Sequence, residues 1–203
     1  MAATVPGVTP SPARRDRRDA YTLDALLDVV VRVFNERGYD ATSMEDLARA
    51  TGRTKSSIYH HVSGKEHLLR LAVARAVDAL FAVLDEPGAS TGPAVDRLEH
   101  VVRRSAQVLA AQLPYVTLLL RVRGNTDAER WALTRRRAFD RRLSDLVQAA
   151  IDEGDVRADL DPRTVTRLLF GMVNSLHEWL RPGDARRVED ALVALAFDGL
   201  RRR

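Results

Sequence analysis

The sequence predicts an all-α protein, and three observations carry that prediction. Apolar residues recur at three- and four-residue spacing through almost every segment from Tyr21 onward, the period of an amphipathic helix. The breaks in that pattern fall at Gly, Pro and helix-capping residues. The one β-branched run, Val116–Val122, has no second run to pair with, so it reads as part of a buried helix. With 203 residues, 45% hydrophobic and 30% charged, the chain suits one domain or two small ones sharing a helix. A net charge of +4 and a pI near 9.9 permit a polyanionic partner without requiring one. The absence of cysteine removes a disulfide framework, a thiol nucleophile and a Cys-ligated zinc. The basic run Arg14–Arg18 is not followed by an apolar stretch, so no signal peptide is expected. No window resembles a membrane span, which leaves a cytoplasmic protein as the expectation.

Residues 1–19 read as a disordered basic arm: a Pro-, Thr- and Ala-rich start, then Arg14, Arg15, Arg17 and Arg18. A helix follows from Tyr21, with Leu23, Leu26, Leu27, Val30, Val33 and Phe34 on one face, closed at Gly38. Thr42, three residues before Glu45, suggests a capping box for a short helix over 43–50. Gly52 ends it. Thr54 can cap a second short helix, Lys55–His61, and Gly64 breaks again. A long helix runs from Lys65 to about Leu84, and residues 85–93 read as a loop. Further helices are expected over 95–111, from Pro114, over 126–152, over 162–180 behind Asp161-Pro162, and over 185–199 behind Asp184. The total is about nine, arranged as a three-helix unit over 20–66 and a larger helical domain over 67–203.

Two short helices joined by a tight Gly turn match a helix-turn-helix, whose second helix enters the DNA major groove. Arg49, Arg53, Lys55 and Lys65 fall in a segment without Asp or Glu. Thr54, Ser56, Ser57, Tyr59, His60 and His61 add hydroxyl and imidazole groups suited to phosphates and base edges. The spacing turns Leu47, Ala48, Ile58 and Val62 inward and Lys55, Ser56 and His60 toward the groove. Similar helix pairs also occur in domains that bind nothing, so a helical adaptor that binds only protein stands as the alternative.

ATSMEDLARATGRTKSSIYHHVSGKEHLL, residues 41–69, resembles the DNA-binding segment of the tetracycline-repressor (TetR/AcrR) family. The likeness includes Gly38-Tyr39, Thr42, Leu47-Ala48, Gly52, Tyr59-x-His61-Val62, Lys65-Glu66 and Leu68. The resemblance implies a dimeric transcriptional repressor with a helical domain for effector binding and dimerisation. It implies phosphate contacts for Thr42, Tyr59, His61 and Lys65, and places Lys55, Ser56, Ser57 and His60 at or near bases. Arg53 departs from the small apolar residue usual in the turn, and is assigned either a further phosphate contact or a different packing of that turn. Val62 stands where Phe is common.

In the second domain, eight arginines between residues 121 and 142 face three acidic residues. Most read as a solvated face. Arg121 and Arg123, inside the apolar run VTLLLRVRG, are candidates for an anionic effector. Tyr115, Trp131, Phe170, Asn174 and His177 are further candidates for the effector site, with packing as the alternative for each. Gly171 in mid-helix suggests close contact at a dimer interface or pocket wall. The last two helices are the natural pair for a homodimer built as a four-helix bundle. The stretch from PYVTLLLRVRG to FGMVNSLHEWLRPG is similar to regulators of fatty-acid, phenylacetate and steroid catabolism, which implies an acyl-coenzyme A thioester as effector; a hydrophobic compound is the alternative. The long helix from Lys65, about 30 Å at 1.5 Å per residue, can act as a lever between the two functions. No spacing of the five histidines forms a metal pair, and no nucleophile motif or phosphate-cradling Gly-rich loop occurs. Neither enzyme activity, a metal nor a cofactor is expected.

Overall fold

The computed structural model describes the backbone of residues 12–181 and 183–200, and the side chains of 23–181 and 183–198. The start of the expected arm, residues 1–11, and the side chains of its four arginines lie outside the described residues. The described residues form ten helices and no strand: α1 Pro12–Arg37, α2 Met44–Thr51, α3 Lys55–Tyr59, α4 Lys65–Leu84, α5 Pro87–Ser90, α6 Ala94–Ala111, α7 Leu113–Arg121, α8 Asp127–Asp152, α9 Pro162–Trp179 and α10 Ala185–Leu200. The chain divides into two compact units, one up to Leu68 and one from Leu69. The sequence had suggested a division between 66 and 67.

Three differences from the sequence reading concern helix ends, and one concerns an extra turn. α3 stops at Tyr59, two residues short of the expected His61. α1 begins at Pro12, so the arm from 12 to 19 is helical in its backbone. Ala and Arg are strong helix formers, and Pro at a first position leaves no lost hydrogen bond; propensity there outweighs the missing apolar stripe. α2 is capped by Ser43 rather than Thr42. The Ser43 hydroxyl accepts from the Asp46 N–H at 3.1 Å while the Asp46 carboxylate accepts from the Ser43 N–H at 2.9 Å. The box is shifted by one residue because Asp serves at its fourth position as well as Glu. α5 occupies part of the expected loop. Pro87 opens it, and the Thr91 hydroxyl closes it by donating to the Pro87 carbonyl at 2.8 Å. Gly88 is required there, since a Cβ would lie 2.5 Å from the His100 ring.

In the first unit, Leu26, Leu27, Val30, Val31, Val33 and Phe34 of α1 are buried with Leu47, Ile58, Val62 and Leu68. Phe34 and Tyr39 meet edge to face at 5.2 Å between ring centroids. Gly52, with φ of 65°, is the left-handed C-cap that lets α2 turn sharply toward α3.

In the second unit, α6 is central and packs against α5, α7, α8, α9 and α10. Val116, Leu118 and Leu119 are buried in α7, so the β-branched run is helical. Thr126 and Glu129 form the capping box of α8. Three arginine–aromatic contacts join α4 to its neighbours in this unit. The Arg70 guanidinium lies 3.0 Å from the Trp131 ring centroid, Arg75 4.5 Å from Tyr115, and Arg135 3.9 Å from Phe81. Glu86, after α4, accepts from Arg104 at 2.8–3.0 Å and is 2.7 Å from His100 Nε2, which ties the α4–α5 corner to α6. No helix among the described residues is long and apolar enough to cross a membrane.

Candidate nucleic-acid interface and effector cavity

α3 is only five residues long, and its faces differ sharply. Ile58 is fully buried, and Val62, one turn on, is 3% exposed. Lys55, Ser56, Tyr59 and His60 are exposed, while Ser57, His61 and Arg53 are half-buried. Tyr59 is half exposed at 50%, unusual for so large a ring. Thr54 is the N-cap, its hydroxyl accepting from the Ser57 N–H at 3.2 Å. No non-glycine residue among the described residues has a positive φ, so the backbone presents these side chains without strain.

Two of the predicted phosphate contacts sit differently from that expectation. Thr42 is 1% exposed, and its hydroxyl donates to the Gly38 carbonyl at 2.7 Å. Its N–H is engaged as well, donating to the Tyr39 carbonyl at 3.2 Å. In this structure Thr42 therefore supports the turn between α1 and α2. Lys65 points its ammonium at the same turn, donating to the carbonyls of Tyr39 and Asp40 at 2.9 and 3.5 Å. One signal missed in the sequence is Glu45, whose carboxylate pairs with the Lys55 ammonium.

The second unit encloses a mainly apolar cavity among α4, α6, α7, α8 and α9. Its cavity volume is about 40 Å³, and the empty space counted together with its open mouth is about 540 Å³. Phe81, Phe139 and Phe170 form an edge-to-face series, with centroids 5.6 and 5.4 Å apart. Four polar side chains interrupt the apolar lining: Ser105, Arg136, Asp140 and Asn174. Ser105 is fully buried and its hydroxyl has no partner. Burial lowers the Arg136 pKa, an effect that Asp140 opposes. Asp140 is exposed toward solvent at the rim, yet the protein around its carboxyl raises its pKa against the pull of Arg136 and Arg167. A cavity with an apolar body and few polar groups orients a ligand by its polar end.

Of the residues singled out for an effector, Phe170 and Asn174 line this cavity. Tyr115 is buried beneath Arg75, whose guanidinium donates to its hydroxyl at 3.3 Å. Trp131 is covered by Arg70, and His177 Nδ1 lies 2.6 Å from the Asn174 carbonyl. Arg121 and Arg123 are exposed at and just beyond the end of α7, away from the cavity lining. A cation at a helix C-terminus is favoured by the helix dipole, which gives Arg121 a local reason to interrupt the apolar run. Ser105, Arg136 and Asp140 were not singled out. A small polar residue inside one helix stripe carries no sequence signal, and Arg136 is one of three successive arginines.

Residues 26–72 match the family model described as bacterial regulatory proteins of the tetR family, and residues 91–200 match the tetracyclin repressor-like C-terminal domain. The chain belongs to the TetR family of transcriptional regulators. Family members regulate transcription by binding DNA and are not enzymes. Among solved structures, this TetR-family chain is similar to SCO3833 from Streptomyces coelicolor A3. The two are 61% identical, with 87% of this chain and 91% of that one covered and a TM-score of 0.83. It is also similar to the ketosteroid transcriptional regulator KstR2 of Mycobacterium tuberculosis, with 25% identity, 90% and 96% coverage and a TM-score of 0.81. The transcriptional repressor KstR2 of Rhodococcus jostii (strain RHA1) is 28% identical over 199 residues, 95% of this chain and 98% of that protein.

Proposed function

We propose that this TetR-family protein is a repressor that binds a near-palindromic double-stranded operator as a homodimer and leaves it when a small molecule fills the cavity of the second unit. The observation that carries the DNA half is α3 itself: Ile58 anchors it, and Lys55, Ser56, Tyr59 and His60 stand outward on the opposite side. In this reading Tyr59, His61 and Lys65 meet phosphates. Lys55, Ser56, Ser57 and His60 approach bases, with Thr54 holding the helix start and Arg53 beside it. The repressor names of the KstR2 relatives support the sign of regulation.

The effector is an apolar molecule with a polar or anionic end, and an acyl-coenzyme A thioester is the class we favour. The apolar lining takes the acyl chain, and the arginine-rich α8 from Arg130 to Arg142 offers cations for phosphates. Phe81, which lines the cavity, lies on α4, and α4 also carries Lys65. A ligand that moves Phe81 therefore acts on a helix shared by both functions, provided it binds the released state more tightly than the DNA-bound state. Dimerisation is assigned to the last two helices, where Leu168, Met172 and Leu195 are exposed.

The test has two stages. DNA from upstream of the protein's own coding region is titrated with protein at several salt concentrations. A sequence-selective complex whose affinity falls steeply with salt is expected, and a complex no tighter than on scrambled DNA overturns the reading. Acyl-coenzyme A thioesters and apolar compounds are then screened by thermal shift, and hits are tested for operator release. Hits that stabilise the protein without releasing DNA overturn the effector half.

A further inference from the structure

The recognition helix carries a single charged side chain, and that charge is already paired. Lys55 is the one Lys, Arg, Asp or Glu in α3, KSSIY. Its ammonium is held by the Glu45 carboxylate of α2. No Asp or Glu occurs from residue 47 to residue 65, so Glu45 and Asp46 are the last negative groups before an acid-free stretch. The neighbouring Asp46 is committed elsewhere: it accepts from the Ser43 N–H at 2.9 Å and lies 3.6 Å from both Arg37 and Arg49. The Glu45 side chain is 59% exposed and that of Lys55 44%. Water and a DNA strand can both compete for either partner.

A carboxylate at a DNA-reading surface repels phosphates whatever the sequence, because phosphates carry no sequence code. An ammonium paired with that carboxylate gives correspondingly little attraction to passing DNA. A base edge with two acceptors, such as guanine O6 and N7, can draw the ammonium away. Exposed ion pairs are weak and open readily, so the exchange is reversible. Specificity is a difference between affinities, and it grows when the wrong partner is penalised.

We infer that Glu45 is a specificity-determining positioning residue: it holds Lys55 away from the phosphates of random DNA and yields it to the base edge that the operator presents. The inference rests on α3 being the recognition helix, as proposed above.

The test uses full-length protein, with Glu45→Gln, Lys55→Gln and the double variant, titrated by fluorescence anisotropy. The probes are the upstream operator duplex and a scrambled duplex of equal length, across a salt series. Glu45→Gln is expected to bind scrambled DNA about eightfold more tightly at 0.1 M salt, with a slope of log affinity against log salt steeper by about 0.9, the effect of one more cation free to displace counterions. The gain on operator is expected to be smaller, so the specificity ratio falls. In the Lys55→Gln background, Glu45→Gln is expected to give a smaller gain, the relief of direct repulsion alone. Unchanged slope and ratio in the single variant overturn the inference. So does an equal gain in the Lys55→Gln background, which makes Glu45 a general repulsive charge rather than a partner of Lys55. Failure of the underlying reading is visible separately: Lys55→Gln then binds both duplexes like wild type. A thermal melt of Glu45→Gln matching wild type shows that the effect is on recognition rather than folding.

Discussion

Lys65 clamps Tyr39. Its ammonium donates to the Tyr39 carbonyl at 2.9 Å and lies 4.3 Å from the centroid of the same residue's ring. One side chain at the start of α4 thus holds the turn that follows α1, within the first unit. A lysine in the first turn opposes the helix dipole, and these two contacts offset that cost.

Lys65→Met is therefore expected to destabilise the protein as well as weaken DNA binding. The loss is about 1–2 kcal/mol, from a hydrogen bond to a charged donor and a partly exposed cation–π contact. Amide exchange over residues 38–42 should accelerate in the variant, and Lys65→Arg should recover part of the protection. A residue acting only on phosphate leaves exchange and urea midpoint unchanged, and that result removes the clamp.

Glu86 supplies a pH dependence in the second unit. Hydrogen bonds from Arg104, then from His100, hold its carboxyl below the ordinary value of 4.5, against the opposing effect of burial. The depressed group favours the folded state at pH above its unfolded value, and that contribution disappears as pH falls through the folded value. Glu86→Gln should have a lower urea midpoint than wild type at pH 7. The gap should close as the pH is brought through and below 4.5. A gap that persists undiminished in acid shows that the loss is one of packing and not of the ionised carboxylate.

Ser105 is expected to reverse the usual cost of a core substitution. Its hydroxyl is buried without a partner, so Ser105→Ala removes an unpaired polar group at almost no loss of volume. The variant should be more stable than wild type by about 1 kcal/mol, or roughly 2–4 °C in melting temperature for a chain of this size. A ligand that bonds this hydroxyl should bind the variant less tightly. Lower stability of the unliganded variant, measured by calorimetry, contradicts the reading of Ser105 as an orphaned group.

Much of this architecture was legible because it is local. The span of α4, the start of α8 near Thr126, the Asp161 cap and the helix over the β-branched run all follow from residues within a few positions of each other. The inward set Ile58 and Val62 and the outward set Lys55, Ser56 and His60 also follow from helical period alone. The cavity was not legible in the same way. Its walls come from five helices, and whether Arg121 or Arg136 reaches it depends on how α7 and α8 are rotated about their axes. Neighbours in sequence cannot specify that rotation. The capping residue of α2 was misread for a smaller reason: Thr42 and Ser43 are adjacent hydroxyls, and the choice depends on Thr42 being drawn inward to the Gly38 carbonyl.

Gly171 tests the proposed dimer through the sign of its effect. It stands in mid-helix α9, exposed, and a Cβ built on it meets nothing within 4 Å. Close packing within the chain, one of the reasons its presence suggested, therefore does not explain it. Leu168, Gly171, Met172 and Ser175 fall at helical spacing i, i+3, i+4 and i+7, and Leu168 and Met172 are 65% and 36% exposed. Leu168 and Met172 also line a groove with Leu195 of α10. In an isolated chain, Gly171→Ala should stabilise α9 by about 1 kcal/mol, because Ala is the better helix former. In a dimer whose partner helix approaches this stripe, a larger side chain intrudes on the interface. Gly171→Leu is thus expected to keep the helical content of wild type while shifting the sedimentation equilibrium toward monomer. Leu195→Glu should do the same by placing a charge on the apolar groove. Both variants should lose operator affinity, since one recognition helix cannot span two half-sites. If Gly171→Leu and Leu195→Glu remain dimeric at micromolar concentration, the last two helices do not form the interface.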